Sequence, residues 1–395
     1  MTVPFHRPSI DEAAINEVVA TLRSGWLTTG PKTKEFEAGF ASYIGVRHAV
    51  ALNSATAALH LALEAIGLSR GDAVLVPTMT FAATAEVVRY FDAKPILVDC
   101  DIDSGNLDCE DARVQALAAI KRGERVRAII PVHYGGCVVD MSAVLEIAGE
   151  FNLVVIEDAA HCCPARYRHA GETAWRMVGT ESAVSCFSFY ANKCITTGEG
   201  GMACTNDDRI ADRMRVMALH GISKDAWKRF TSEGSWDYEI VAPGFKYNLT
   251  DIASSLGIHQ LRRADELHRV RAGRASRFHE CLSGVDEIAL PVEPADRVHS
   301  WHLYAIRLRT ETIGIGRAEF IEELKRAGIG TSVHWRPLHM HPYYVQTYGY
   351  KPEDFPKAAL RYEGLISLPF YPDMTDSEID YVAATIRDII SANKR

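Results

Sequence analysis

Between residues 48 and 156, short apolar runs alternate with longer stretches of helical spacing. The runs His48–Leu52, Ala73–Val76, Pro95–Val98, Ala128–Val132 and Leu153–Ile156 predict strands. The intervals predict helices over 57–66 (stopped by Gly67), near 82–90, over 110–121 and over 141–150. A further strand, Ala183–Phe189, and a helix over 207–219 continue the alternation. Strands this rich in Val, Ile and Leu are buried on both faces, which predicts a mostly parallel sheet between helical layers. In such sheets, ligands bind outside the carboxyl ends of the strands.

The flanks read differently. Residues 9–22 have helical spacing with a capping-box pattern from Ser9 to Glu12, followed by the loop Ser24–Pro31. Residues 220–243 are polar and aromatic (Trp227, Phe230, Trp236, Tyr238), and one long helix is expected from Thr250 to about Phe278. A strand near His302–Leu308, a helix over 316–327, a strand at Gly330–Trp335 and a closing helix over 376–391 predict a smaller α+β domain. We place the division at 1–250 for the large domain, with its N-terminal loop segment, and 251–395 for the small one.

Composition narrows the function classes. The 395 residues are 47% hydrophobic and 24% charged, a globular balance. A net charge of −8, with no basic stripe, argues against nucleic acid as a partner. No apolar run approaches the roughly 20 residues of a membrane span, and the N-terminus lacks a signal-peptide pattern, so a cytoplasmic protein without a membrane partner is expected. Nine scattered cysteines fit reduced thiols. His161-Cys162-Cys163 raises a metal site, but adjacent cysteines do not easily point at one ion and no second C-x2-C pair accompanies them; packed thiols and no metal are expected.

Candidate chemistry lies after the strands. Asn53-Ser54-Ala55-Thr56 turns a strand into a helix, which offers either a simple N-cap or a phosphate seat on free N–H groups. Leu153–Ile156 ends in Glu157-Asp158, of which only one can point into the crevice because successive strand side chains face opposite ways. Thirty-five residues after Asp158 stands Lys193, the single lysine of Ser185–Gly201, preceded by Ser188. The acid, hydroxyl and amine would thus converge on one sheet edge. The loop with Trp26 and Thr28 reads either as a connector or as a lip for a sugar-like ligand.

Taken as an ordered set, Asn53–Leu59, Glu157–His161, Phe187–Lys193, Gly198–Gly201 and Gly244–Asp251 resemble the DegT/DnrJ/EryC1/StrS family of nucleotide-sugar aminotransferases dependent on pyridoxal 5'-phosphate (PLP). The resemblance implies fold type I, the aspartate aminotransferase-like α/β fold. It implies Lys193 as the lysine that holds the cofactor and then carries the proton, and Asp158 as the partner of the ring nitrogen. His161 would lie near the ring's 3'-oxygen, Phe81 on the ring face, and Ala55, Thr56 and Ser188 at the phosphate. Asn248 would reach that phosphate from a neighbouring subunit, making a homodimer with shared sites. Trp26, Thr28, Lys246 and His334 would face substrate.

Where many relatives read G-x-N-x-R, this chain has Gly244-Phe245-Lys246-Tyr247-Asn248, similar to the branch that aminates a UDP-linked 4-ketopentose for lipid A, a lipopolysaccharide component. A lysine rather than a histidine at 193 implies transamination. The expected function is amination of a nucleoside-diphosphate-linked 4-keto sugar, with L-glutamate as donor and PLP passing through its amine form (PMP). A keto-cyclitol or 3-keto-sugar aminotransferase is the alternative, and a non-catalytic PLP-fold sensor a further one. The segments His299–His302 and His334–His339 also fit the resemblance, which implies a place near the substrate's nucleotide or sugar; their remaining histidines are expected in packing and surface roles, none of them catalytic.

Overall fold

The computed structural model describes residues 1–223 and 238–395; Trp227, Phe230 and Trp236 lie outside the described residues. Helix α1 (Glu12–Ser24) is capped by Asp11, whose carboxylate accepts the Ala14 N–H at 2.8 Å. The expected cap at Ser9 is not used; the Ser9 carbonyl instead accepts from the Gln260 amide at 2.8 Å. Helix α2 (Pro31–Ile44), not anticipated from the sequence, precedes β1 (His48–Leu52) and α3 (Ala55–Ala65). The alternation then runs through β2 (Asp72–Pro77), α4 (Ala83–Arg89), β3 (Lys94–Val98), α5 (Cys109–Lys121), β4 (Arg125–Ile129), α6 (Met141–Phe151) and β5 (Val154–Asp158). After the two-residue strands β6 (Arg166–Tyr167) and β7 (Arg176–Met177) come β8 (Val184–Ser188), β9 (Gly201–Thr205) and α7 (Asp208–Ala218).

The main sheet has seven strands in the order β1-β9-β8-β5-β4-β2-β3. β2, β3, β4, β5 and β8 pair in parallel, while β9 runs antiparallel to both β8 and β1. One apolar layer covers each face of this sheet. On one of them Phe36 and Phe40 of α2 pack on Phe189 with ring centroids 5.2 and 5.4 Å away, burial that stabilises by about 1.5–3 kcal/mol per ring. The sheet and its two helical layers make the α/β architecture expected from the sequence, a mostly parallel sheet covered on both faces.

The expected long helix is two: α8 (Asp251–Arg262) and α9 (Ala264–Leu282), separated at Arg263, whose φ/ψ of −97°/1° leave the helical region. The Asp251 carboxylate accepts N–H groups of Gly30, Lys32 and Thr33 at 2.7, 3.1 and 2.9 Å and the Thr33 hydroxyl at 2.7 Å. It thereby caps α2 from a distance, where the N-cap Gly30 has no side chain to do so.

β10 (Ile288–Ala289) follows, then β11 (Arg297–Val298), which joins β6 and β7 in a small sheet, and β12 (Tyr304–Leu308). Helices α10 (Arg317–Arg326), α11 (Pro342–Tyr348) and α12 (Pro356–Gly364) lead to β13 (Leu365–Leu368) and the closing α13 (Asp376–Asn393). β10, β12 and β13 form an antiparallel sheet over a third core, which also holds Val3. The strand expected at 330–335 is absent; that segment touches the sheet through one bridge, Ser332 to Ser367. Among the described residues, no helix is long and apolar enough to cross a membrane.

Candidate active site

Strand β5 ends in two acids that part company. Glu157, fully buried, meets the His133 Nε2 at 2.8 Å on one side of the sheet. Asp158 turns the other way: its Oδ2 accepts the Thr84 hydroxyl at 2.8 Å and its Oδ1 the Ala160 N–H at 3.2 Å. Burial pushes the Asp158 carboxyl above its ordinary range; the Thr84 hydrogen bond and the nearby Lys193 charge oppose that push.

Strand β8 ends one strand over, at Ser188, whose hydroxyl oxygen accepts the Tyr190 N–H at 3.3 Å. The chain then turns, the Lys193 N–H donating to the Tyr190 carbonyl at 2.9 Å. Burial pulls the Lys193 amine down from 10.5 to about 8, against the opposing pull of Asp158. An amine so depressed is partly unprotonated near neutral pH and therefore nucleophilic.

The start of α3 lies close to this centre in the sheet order, after β1. Ser54 is the N-cap, its hydroxyl taking the Ala57 N–H at 3.0 Å. The N–H groups of Ala55 and Thr56 have no acceptor within the helix and lie at its positive end. The N-cap reading of this turn is thus realised at Ser54. Gly201, opening β9, lies against it: a Cβ there would come within 2.4 Å of the Ser54 carbonyl carbon and 2.5 Å of the Ala55 nitrogen.

Imidazole and indole rings form the wall around this centre. The Gly135 N–H donates to His161 Nδ1 at 3.1 Å, which leaves the ring proton on Nε2. His161 stacks on Trp335 at 5.0 Å and meets His302 at 4.3 Å. His334 Nδ1 bonds the Ser367 hydroxyl at 2.8 Å, and its carbonyl accepts from Tyr134. Burial, helped by the Lys193 charge, lowers His334 to about 4 and His161 well below its usual value, so both are neutral. Phe81 is 59% exposed and tilted toward Trp335 with centroids 6.3 Å apart.

Trp26, Thr28, Lys246 and Asn248 form a separate group. Trp26 Nε1 donates to the Thr29 carbonyl at 3.3 Å, and the Thr28 carbonyl accepts the Asp251 N–H at 3.2 Å. Asn248 donates to the Thr29 hydroxyl at 2.7 Å, accepts from Lys246 Nζ at 2.6 Å, and pairs through its backbone with Leu52. Of the packing and surface roles expected for the remaining histidines, packing is what His299, His302 and His339 show: all three are buried, His299 against Trp301, His302 against His161 and His339 against Phe355. Cys162 and Cys163 are buried free thiols that burial pushes well above the ordinary range.

The model of the DegT/DnrJ/EryC1/StrS aminotransferase family matches residues 8–387. The chain belongs to that family. An uncharacterized protein of Methanocaldococcus jannaschii is 46% identical over 392 residues, 99% of this chain and 98% of its own. The spore coat polysaccharide biosynthesis protein SpsC of Bacillus subtilis is 43% identical over 389 residues, 98% and 97% of the two chains. Among solved structures, Spr1654 of Streptococcus pneumoniae, described as a sugar aminotransferase, superposes in its PMP form with a TM-score of 0.89 at 33% identity, covering 99% of this chain and 100% of its own. Its PLP form gives 0.88 at 32%, covering 99% of both.

As a member of this family the protein is a PLP-dependent sugar aminotransferase. The residues present fit that cofactor on their own chemistry: an amine depressed to about 8, a buried carboxylate whose charge acts on it, and a helix start with two N–H groups free of helix acceptors in a cradle that a Cβ at 201 would fill. Sequence reasoning gave no role to Thr80, Thr84 or Tyr134, and placed Trp335 only within a segment expected near the substrate. The signal for the threonines was a pair of small hydroxyl residues flanking the start of a helix after a strand; that Trp335 meets His161 is set by the tertiary fold.

Proposed function

We propose that the protein aminates a 4-keto group on a nucleoside-diphosphate-linked sugar, with L-glutamate as amino donor. Bound PLP supplies an electron sink and a carrier for the amino group. Every other part is played by the chain. Lys193 would hold the cofactor and take up and give back a proton at its Nζ; its value of about 8 suits both directions near neutral pH. Asp158 would keep the cofactor's ring nitrogen protonated, His161 would donate from Nε2 to its 3'-oxygen, and Phe81 would cover its ring.

Ala55, Thr56 and Ser188 bind the phosphate, joined by Asn248 of the partner subunit in a homodimer. Residues 1–250 carry the cofactor and 251–395 form the smaller domain. Trp26, Thr28, Lys246 and His334 contact the sugar nucleotide. The product feeds polysaccharide assembly in the cytoplasm, a reading supported by the likeness to SpsC.

The observation that carries this reading is the buried pair of Lys193 and Asp158, each within reach of the other's charge, beside neutral rings. His161, His334 and Trp335 offer stacking faces and single hydrogen bonds rather than charge, which suits a sugar ring. The test is amination of a UDP-4-keto sugar beside a keto-cyclitol and a 3-keto sugar nucleotide, with glutamate consumption followed in each. Turnover of the 4-keto sugar is expected; turnover of the cyclitol alone would sink the proposal.

A further inference from the structure

Behind Asp158 lies a short chain of hydroxyls. Thr80, in the turn after β2, and Thr84, the second residue of α4, are both buried, with their Oγ1 atoms 2.7 Å apart. Thr84 Oγ1 lies 2.8 Å from Asp158 Oδ2. Each hydroxyl has one proton. The carboxylate can only accept, so Thr84 spends its proton there and Thr80 must donate to the Thr84 oxygen. The order is Thr80 to Thr84 to Asp158, every donor committed in one direction. A valine has nearly the shape of threonine, and a buried hydroxyl is costly unless bonded, so packing alone does not account for two hydroxyls aimed in series at one carboxylate. Thr80 also stands next to Phe81.

We infer that Thr84 is a positioning residue for the reaction: polarised by Thr80, it sets the rotation of the Asp158 carboxylate and keeps it charged where it meets the cofactor's ring nitrogen. The inference rests on the proposed role of Asp158. A charged acceptor strengthens its donor's bond, and the second hydroxyl polarises the first. Without that bond the proton shared between carboxylate and ring nitrogen moves toward the carboxylate, the ring loses positive charge, and the nitrogen bonded to the Lys193 side takes up its own proton more readily. The titratable groups whose charges act on the same carboxylate are Lys193 on the turn after β8, His133 from across the sheet after β4 and the Cys186 thiol on β8; the variants below leave all three in place.

The experiment is a visible-absorbance pH titration of the holoenzyme, with kcat and donor KM measured on the same preparations, for wild type, Thr84→Val, Thr84→Ser, Thr80→Val and Asp158→Asn. Thr84→Val should raise the absorbance midpoint by about half a pH unit or more and lower kcat about tenfold, with KM within about twofold. Thr84→Ser should restore both, which a loss of packing would not allow. Thr80→Val should move both in the same direction by less, and carries the test if Thr84→Val does not fold. If Asp158→Asn moves the midpoint while the threonine variants stay at the wild-type value, the inference is wrong and the role of Asp158 stands. If Asp158→Asn also leaves the midpoint in place, the role of Asp158 falls and the inference falls with it.

Discussion

Glu157 and Asp158 are neighbours in sequence and face opposite sides of the sheet, the first bonded to His133 at 2.8 Å and the second to Thr84 at 2.8 Å. Strand alternation thus assigns two adjacent acids to two tasks, one inside the core and one in the crevice.

Replacing Glu157 by Ala strands the His133 ring in a dry interior. The expected loss is about 3 kcal/mol of stability, read as a lower midpoint in denaturant unfolding. The folded fraction should keep its cofactor absorbance and a kcat within about threefold of wild type, since Glu157 points away from the site. A large kcat loss with stability unchanged would place Glu157 in the reaction.

The pH dependence of cofactor capture follows from Lys193. Only the unprotonated amine attacks a carbonyl, and its fraction rises as pH passes through its pKa. With the amine lowered to about 8, the rate at which cofactor-free enzyme bonds added PLP should climb with pH and level off above about 8. An ordinary lysine would keep climbing toward about 10.4. Stopped-flow absorbance separates the two curves.

Gly201 leaves room for the start of α3. A methyl group there meets backbone at 2.4–2.5 Å, and backbone cannot swing aside as a side chain would. Gly201→Ala is expected to cost about 2 kcal/mol of stability and to weaken PLP retention, because the Ala55 and Thr56 N–H groups shift. Retention is measured by dialysis against phosphate buffer.

Shared sites predict complementation. Lys193→Ala and Asn248→Ala should each impair the enzyme, and mixed dimers of the two variants should regain one intact site if Asn248 serves its partner's phosphate. Activity that never recovers on mixing, while mixed dimers form, would assign Asn248 to its own chain.

The parallel strands were legible because burial on both faces leaves uninterrupted apolar runs, and β1, β2 and β3 lie within a residue of their expected bounds. Helix α2 was not legible for a specific reason: its first residues carry no cap of their own, and Asp251, more than two hundred positions away, supplies it. Strand β9 opens on the glycine run, which reads as a turn; Gly201 is there for its approach to α3 rather than for chain reversal. The break at Arg263 falls within continuous helical spacing, since two helices joined by one residue preserve the apolar period. Of the site, the residues at strand ends were readable, whereas Trp335 and Tyr134 reach it from distant turns.

Lys193 is the residue on which the account depends. Purified wild type and Lys193→Ala, each supplied with PLP, should be compared by absorbance spectrum and by amination of a UDP-4-keto sugar. The account predicts a yellow, active wild type, and a variant that lacks the lysine-bound absorbance and has lost activity at least about a thousandfold. A variant with both the absorbance and the activity of wild type would contradict it.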